Sequence, residues 1–103
     1  MIIWIIGLSD SGKTTLANKI ISNVRKTGRK IIHLDGDVVR ELYDNDLGYS
    51  LKDRKLNSMR ICKICKYLDC QNIDVVVSIL SNFPESRKWC RDNLSSYFEI
   101  YIK

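Results

Sequence analysis

The nine residues GLSDSGKTT, positions 7 to 15, follow directly on the apolar run IIWII, Ile2 to Ile6. No other part of the chain limits the possible folds so strongly. Two glycines in six residues lose more conformational entropy on ordering than any other pair would. A lysine beside bare backbone N–H groups adds like-signed charge to positive dipoles. The arrangement becomes favourable once an anion occupies it. Gly7, Gly12, Lys13 and Thr14 satisfy G-x-x-x-x-G-K-[ST], with a buried-strand pattern before it and an amphipathic helical pattern after it, which is the context a phosphate-binding loop requires. The glycines let backbone N–H groups turn inward around a phosphate chain, and the helix N-terminus adds partial positive charge. Lys13 then reaches the β- and γ-phosphates, and the Thr14 hydroxyl ligates Mg²⁺. The whole stretch Gly7, Leu8, Ser9, Asp10, Ser11, Gly12, Lys13, Thr14 and Thr15 is the expected ATP phosphate site. Asp10 is the one acidic member, and it is expected to face solvent in a glycine-like conformation.

Beyond the loop, hydrophobic periodicity alternates between strand and helix. Leu16, Ala17, Ile20, Ile21 and Val24 repeat at helical spacing, and Arg25-Lys26-Thr27-Gly28 supplies cations and a glycine suited to a helix end. Ile31 to Leu34 reads as a second strand that stops at Asp35-Gly36-Asp37, followed by a short helix over Val38 to Tyr43. Turn residues fill 44 to 51. A long helix follows from Lys52, with Ile61, Ile64, Cys65 and Leu68 on one face. Ile73 to Ile79 reads as a third strand, Pro84 to Leu94 as a helix opened by proline, and Phe98 to Ile102 as a fourth strand. Alternating strands and helices predict an α/β fold in which a parallel sheet is covered on both faces. Trp4 is assigned to the strand core, Trp89 and Tyr97 to helix–sheet packing, and His33 to a structural role in its strand.

Length allows one domain, residues 1–103. The net charge of +5 suits an anionic partner, but no clustered basic stripe of the kind that binds nucleic acid is present. A phosphorylated small molecule is the better match. No apolar stretch approaches the ~20 residues of a membrane span, and no targeting segment is visible, so the expected compartment is the cytoplasm. Three of the four cysteines, Cys62, Cys65 and Cys70, fall in one helix, which argues against a secreted disulfide framework and for reduced thiols. Their spacing falls short of a zinc site for want of a fourth ligand.

The segment LDGDVVRELYDNDLGYSLKDRKLNSMRI, residues 34 to 61, narrows the chemistry. Asp35 and Asp37 stand at the carboxyl end of the second strand, where open α/β sheets bind their ligands. Carboxylates there hold Mg²⁺ or take a proton from an acceptor hydroxyl. Arg40, Arg54 and Arg60 are suited to bidentate recognition of phosphate or sulfate.

At these residues the chain resembles the adenylylsulfate (APS) kinases, which use ATP to phosphorylate the 3′-hydroxyl of APS. That family shows GLSGSGKTT, LDGDNVR, DLGFS-x-x-DR-x-x-N and a strand ending near FISP. The corresponding stretches here are GLSDSGKTT, LDGDVVR, DLGYSLKDRKLN and SILSNF. The resemblance covers essentially the whole chain. It implies a P-loop three-layer sandwich with strand order 2-3-1-4, lacking the family's later lid, fifth strand and terminal helix. It implies ATP and Mg²⁺, with Thr14 and Asp35 at the metal and Asp37 favoured over Asp35 as the base. Arg40, Tyr49, Arg54 and Asn57 match residues that hold the acceptor nucleotide, Tyr49 through its ring. Ser81 matches a serine that the family description carries as a phosphoserine intermediate, although direct in-line transfer needs none. Kinases of this kind often form homodimers.

Val38 replaces the family's asparagine and Asn82 its proline, so a kinase for a different nucleotide acceptor stands as an alternative. A nucleotide-binding module without turnover is another. A regulatory GTPase or motor ATPase fits poorly, because no N-K-x-D occurs and Ser78 stands where a Walker-B aspartate would.

Overall fold

The computed structural model describes residues 1–8, 11–80 and 83–103. Its elements run in chain order as β1 (Ile2–Ile6), α1 (Lys13–Arg25), β2 (Ile31–Asp35), α2 (Gly36–Leu42), α3 (Leu51–Cys70), β3 (Asp74–Ile79), α4 (Pro84–Asn93) and β4 (Tyr97–Tyr101). Each expected element is present, with ends shifted by one or two residues. The helix after Asp35 starts earlier than the apolar pattern suggests, because the Asp35 side chain accepts the Asp37 N–H at 2.8 Å and caps the first turn.

The four strands form one sheet in the order β2-β3-β1-β4, the order the resemblance implies. All three pairings are parallel, with Ile2 opposite Val75 and Tyr97 and with Asp35 opposite Ser78. Every residue of β1 is buried, and its alternation divides the core. Ile2, Trp4 and Ile6 join Val75 and Val77 of β3 under α2, α3 and α4, with Val39, Ile61, Cys62, Cys65, Cys90 and Leu94. Ile3, Ile5 and Val76 face the other way, against Ala17 and Ile21 of α1. A strand buried on both faces reads as continuous rather than alternating apolar sequence, as IIWII does. Trp4 is fully buried and meets Tyr97 edge to face at 6.4 Å, and Trp89 packs against the same layer.

Local chemistry ends the elements. Gly28, at φ 86°, closes the turn after α1 in the left-handed region. Ser50 accepts the Asp53 N–H at 3.2 Å to open α3, and Pro84 opens α4. Asp74, buried at the start of β3, takes two hydrogen bonds from Arg29 at 2.6 and 2.9 Å, fastening the turn after α1 to the sheet. Among the described residues no helix is long and apolar enough to cross a membrane.

Candidate active site

A cavity of about 190 Å³ opens at the carboxyl ends of β2 and β3, the edge where parallel sheets hold their ligands. Lys13 forms one wall. Asp35, Gly36, Asp37 and Arg40 form another, Tyr49, Arg54 and Asn57 a third, and Ser78, Ile79 and Leu80 the floor. Residues from four segments far apart in sequence therefore meet in one cleft.

The loop is built from its glycines. Gly12 has φ 95°, a conformation that side chains with a Cβ adopt only under strain. Gly7 donates its N–H to the Ile79 carbonyl at 3.2 Å. A Cβ on it would lie 2.7 Å from the Ser11 hydroxyl and 3.1 Å from the Ile102 carbonyl, so only glycine fits. Lys13, the first residue of α1, folds its ammonium back onto the Gly7 carbonyl. Leu8, Thr14 and Thr15 are exposed at the mouth of the loop. The Ser11 hydroxyl is buried with no hydrogen-bond partner among the described residues. Ser9, Asp10 and Ser81 lie outside the described residues.

Across the cleft the two aspartates differ. Asp35 is engaged as the cap of α2. Asp37 is 76% exposed, with the Tyr49 hydroxyl donating at 3.4 Å and the Arg40 Nε 3.9 Å away. Arg40 is buried, donates to the Gly48 carbonyl at 3.1 Å and lays its guanidinium 4.4 Å over the Tyr49 ring, a cation–π contact. Asn57 is buried and donates to the Gly36 carbonyl at 3.3 Å. Its Oδ1, like the Nε atoms of Arg40 and Arg54, is buried without a hydrogen-bond partner among the described residues. Native proteins seldom leave buried polar atoms unpaired, and these three belong to residues lining one cavity.

Arg60 departs from expectation. Its guanidinium makes a bidentate pair with the Asp46 carboxylate at 3.0 and 2.8 Å and stacks 3.9 Å over Tyr43. It thus serves the α2–α3 connection instead of the cleft. His33 does more than fill its strand. Its Nε2 lies 2.7 Å from the Ser78 hydroxyl, and burial lowers its pKa against the opposing charge of Asp35. Ser78, Ile79 and Leu80 went unassigned by motif, although a position at the carboxyl end of β3 was signal enough. The S-x-x-D pattern of Ser50 and Asp53 likewise announces the helix that carries Arg54 and Asn57.

Comparison with known proteins matches this arrangement. The family model described as adenylylsulphate kinase matches residues 1–103. A probable adenylyl-sulfate kinase of Bacillus subtilis is 38% identical over 104 residues, covering 99% of this chain and 53% of its own. The cytidine diphosphoramidate kinase of Campylobacter jejuni is 34% identical over 102 residues, covering 99% of this chain and 59% of its own. An APS kinase of Mycobacterium tuberculosis, solved in complex with AMPPNP and APS, superposes with a TM-score of 0.86 at 30% identity, covering 97% of this chain and 60% of its own. The chain spans about half the length of the curated relatives it matches. With the phosphate loop, the paired aspartates and the parallel order β2-β3-β1-β4 all in place, the chain belongs to the adenylylsulphate kinase family.

Proposed function

We propose that the protein transfers the γ-phosphoryl group of ATP to the 3′-hydroxyl of adenylylsulfate, and that ATP enters with Mg²⁺. The observation that carries this is the cleft itself, in which Lys13 of the phosphate loop faces Asp37, Arg40 and Arg54 across one cavity. Among the described residues no group of three His, Cys, Asp or Glu side chains could hold a metal alone. Mg²⁺ keeps several waters and is held by one or two carboxylates plus substrate phosphates. Asp35 and the exposed Thr14 hydroxyl are the hard oxygen donors that would hold it. When bound, the ion neutralises charge on the β- and γ-phosphates.

Lys13 pairs with the same phosphates once its ammonium leaves the Gly7 carbonyl. Asp37 takes the proton of the attacking 3′-hydroxyl as the new O–P bond forms and the bond to the β-phosphate oxygen breaks. Its exposure and freedom from capping favour it over Asp35 for that step. Arg40 and Arg54, whose Nε atoms have no hydrogen-bond partner among the described residues, supply charge to the acceptor's anionic group, and the Tyr49 ring stacks on its base. Asn57 Oδ1 accepts from an acceptor donor. Positioning and charge neutralisation suffice for phosphoryl transfer, and the mechanism needs no phosphoserine at Ser81.

A second reading keeps the chemistry and changes the acceptor. Val38 stands exposed on α2, one residue from Asp37, where the family pattern has asparagine. The cytidine diphosphoramidate kinase is about as similar to this chain as the adenylyl-sulfate kinases are.

The test measures AMPPNP binding with Mg²⁺ by calorimetry, then ADP formation with adenylylsulfate and with cytidine-nucleotide acceptors. Adenylylsulfate-dependent ADP release supports the first reading, and release with another acceptor supports the second. Nucleotide binding without product would overturn both and leave a phosphate-binding module. Asp37→Asn should retain nucleotide affinity within a few-fold and abolish transfer. If nucleotide affinity collapses as well, the carboxylate serves the metal and not the proton.

A further inference from the structure

Helices α3 and α4 lie side by side with small residues at their contact. Ser58 and Cys62, one turn apart on α3, face Ser86 and Cys90, one turn apart on α4. The two serine hydroxyls are 2.8 Å apart and the two sulfurs 3.5 Å apart, each pair separated by 28 residues in sequence. The equal spacing means that the helices run parallel and in step. Cys62 and Cys90 are fully buried. The thiol of Cys90 donates to Cys62 Sγ, and Cys62 also approaches the Ser86 carbonyl at 3.9 Å. Small side chains at these four positions allow the two helices to approach closely there.

We propose that Cys62 and Cys90 are an oxidisable dithiol that closes to a disulfide across the α3–α4 seam. The hydrogen bond from Cys90 favours the Cys62 thiolate and lowers its pKa, while the same bond and burial hold Cys90 in its thiol form. Cys62 is therefore the attacking sulfur. A small peroxide is the oxidant, because only a molecule near the size of water reaches a buried seam through brief local opening. The Cys62 thiolate attacks hydrogen peroxide, giving a sulfenic acid and hydroxide. The Cys90 sulfur then displaces the sulfenic oxygen, forming the S–S bond and releasing water. Two thiols and one peroxide thus yield one disulfide and two waters. A thiol reductant reverses the reaction.

Cys65 is also buried but takes no part. Burial drives its pKa far upward. Cys70 is exposed at the end of α3 and is the natural competitor for peroxide. The bond would fix the spacing between α3, which carries Arg54 and Asn57 into the cleft, and α4, which follows the cleft floor.

The experiment uses the chain with Cys65→Ala and Cys70→Ser, because Ile61–Lys63 and Ile64–Lys66 are otherwise identical tryptic peptides. Native protein is treated with hydrogen peroxide, blocked with iodoacetamide and digested without reduction. The expected product is Ile61–Lys63 linked to Trp89–Arg91, two hydrogens lighter than the sum of the free peptides and split by reductant. In the unmutated chain the 61–66 peptide uncut at Lys63 carries the same link, and its fragment ions place it at Cys62 rather than Cys65, so the result stands even if the double variant folds poorly. Adding Cys90→Ser should trap Cys62 as a sulfenic acid that dimedone captures. The oxidised chain should melt higher than the reduced one, and the difference should vanish with reductant. Alkylation of both Cys62 and Cys90 after peroxide treatment would overturn the proposal. So would Cys62 joined only to a second chain, or oxidised past sulfenic acid with Cys90 still free.

Discussion

Replacing Lys13 by alanine separates what the phosphate loop does for the ligand from what it does for the fold. Lys13 opens α1, where a cation opposes the positive end of the helix dipole at a cost of about 0.3–1 kcal/mol. Its ammonium donates to the Gly7 carbonyl, a hydrogen bond from a charged donor in a partly exposed setting that contributes about 1 kcal/mol net. The two terms nearly cancel, so the thermal midpoint of the free chain should stay within a few degrees of wild type, given that 1 kcal/mol shifts a domain of this size by about 4–8 °C. Binding is another matter. An ammonium pairing with phosphate oxygens contributes about 1.5–3 kcal/mol, which is a loss of roughly 10- to 150-fold in affinity. Calorimetric titration with AMPPNP and Mg²⁺, beside a thermal melt of the same sample, reads both quantities. Affinity within threefold of wild type, or a melt lowered by ten degrees with affinity intact, would refute the reasoning. Either result would make Lys13 a structural residue.

The two loop glycines should fail for different reasons. Gly12→Ala meets no neighbour but must hold φ 95°, costing about 1 kcal/mol or a little more by backbone strain alone. Gly7→Ala adds a Cβ 3.1 Å from the Ile102 carbonyl, so its melt should fall further, and Ser11→Ala should restore only part of the loss. Full recovery in that double variant would show that backbone crowding at Ile102 is unimportant. Acid should reveal the Arg29–Asp74 pair. The hydrogen bonds from Arg29 hold Asp74 below its ordinary value of 3.8 against the opposing effect of burial. A depressed carboxylate stabilises the fold above its unfolded pKa and loses that contribution as pH falls through the folded one. The difference in melting between wild type and Arg29→Ala should therefore be constant at neutral pH and shrink below 3.8. A difference that persists or grows in strong acid would exclude the carboxylate as its source.

How much of this was legible in the sequence follows from the range of the forces involved. IIWII and the three valines of DVVVSI announced buried strands because both faces of a central parallel strand are covered and favour apolar side chains. Asp74 and Ser78 are buried with polar partners. Gly7 and Gly12 announced the loop because their backbone geometry and crowding exclude a Cβ. Arg40 and Arg60 show where such reading stops. Both are arginines in one matched segment, and composition gives no reason to treat them differently. Only the folded chain gives Arg60 its partner, Asp46, 14 residues away and on the far side of a turn. Arg40 takes the Gly48 carbonyl and the Tyr49 ring, and its Nε has no hydrogen-bond partner among the described residues. The seam of Ser58, Cys62, Ser86 and Cys90 was equally hidden. Helical spacing put Cys62 on a helix and Cys90 on another, but nothing local sets the register of two helices separated by a strand. The crossovers β2–α3–β3 and β3–α4–β4 run in the same direction across the sheet, and crossovers of one hand then place α3 and α4 on the same face. Function in this fold thus depends on pairings between segments, while the pieces that enter those pairings are written locally.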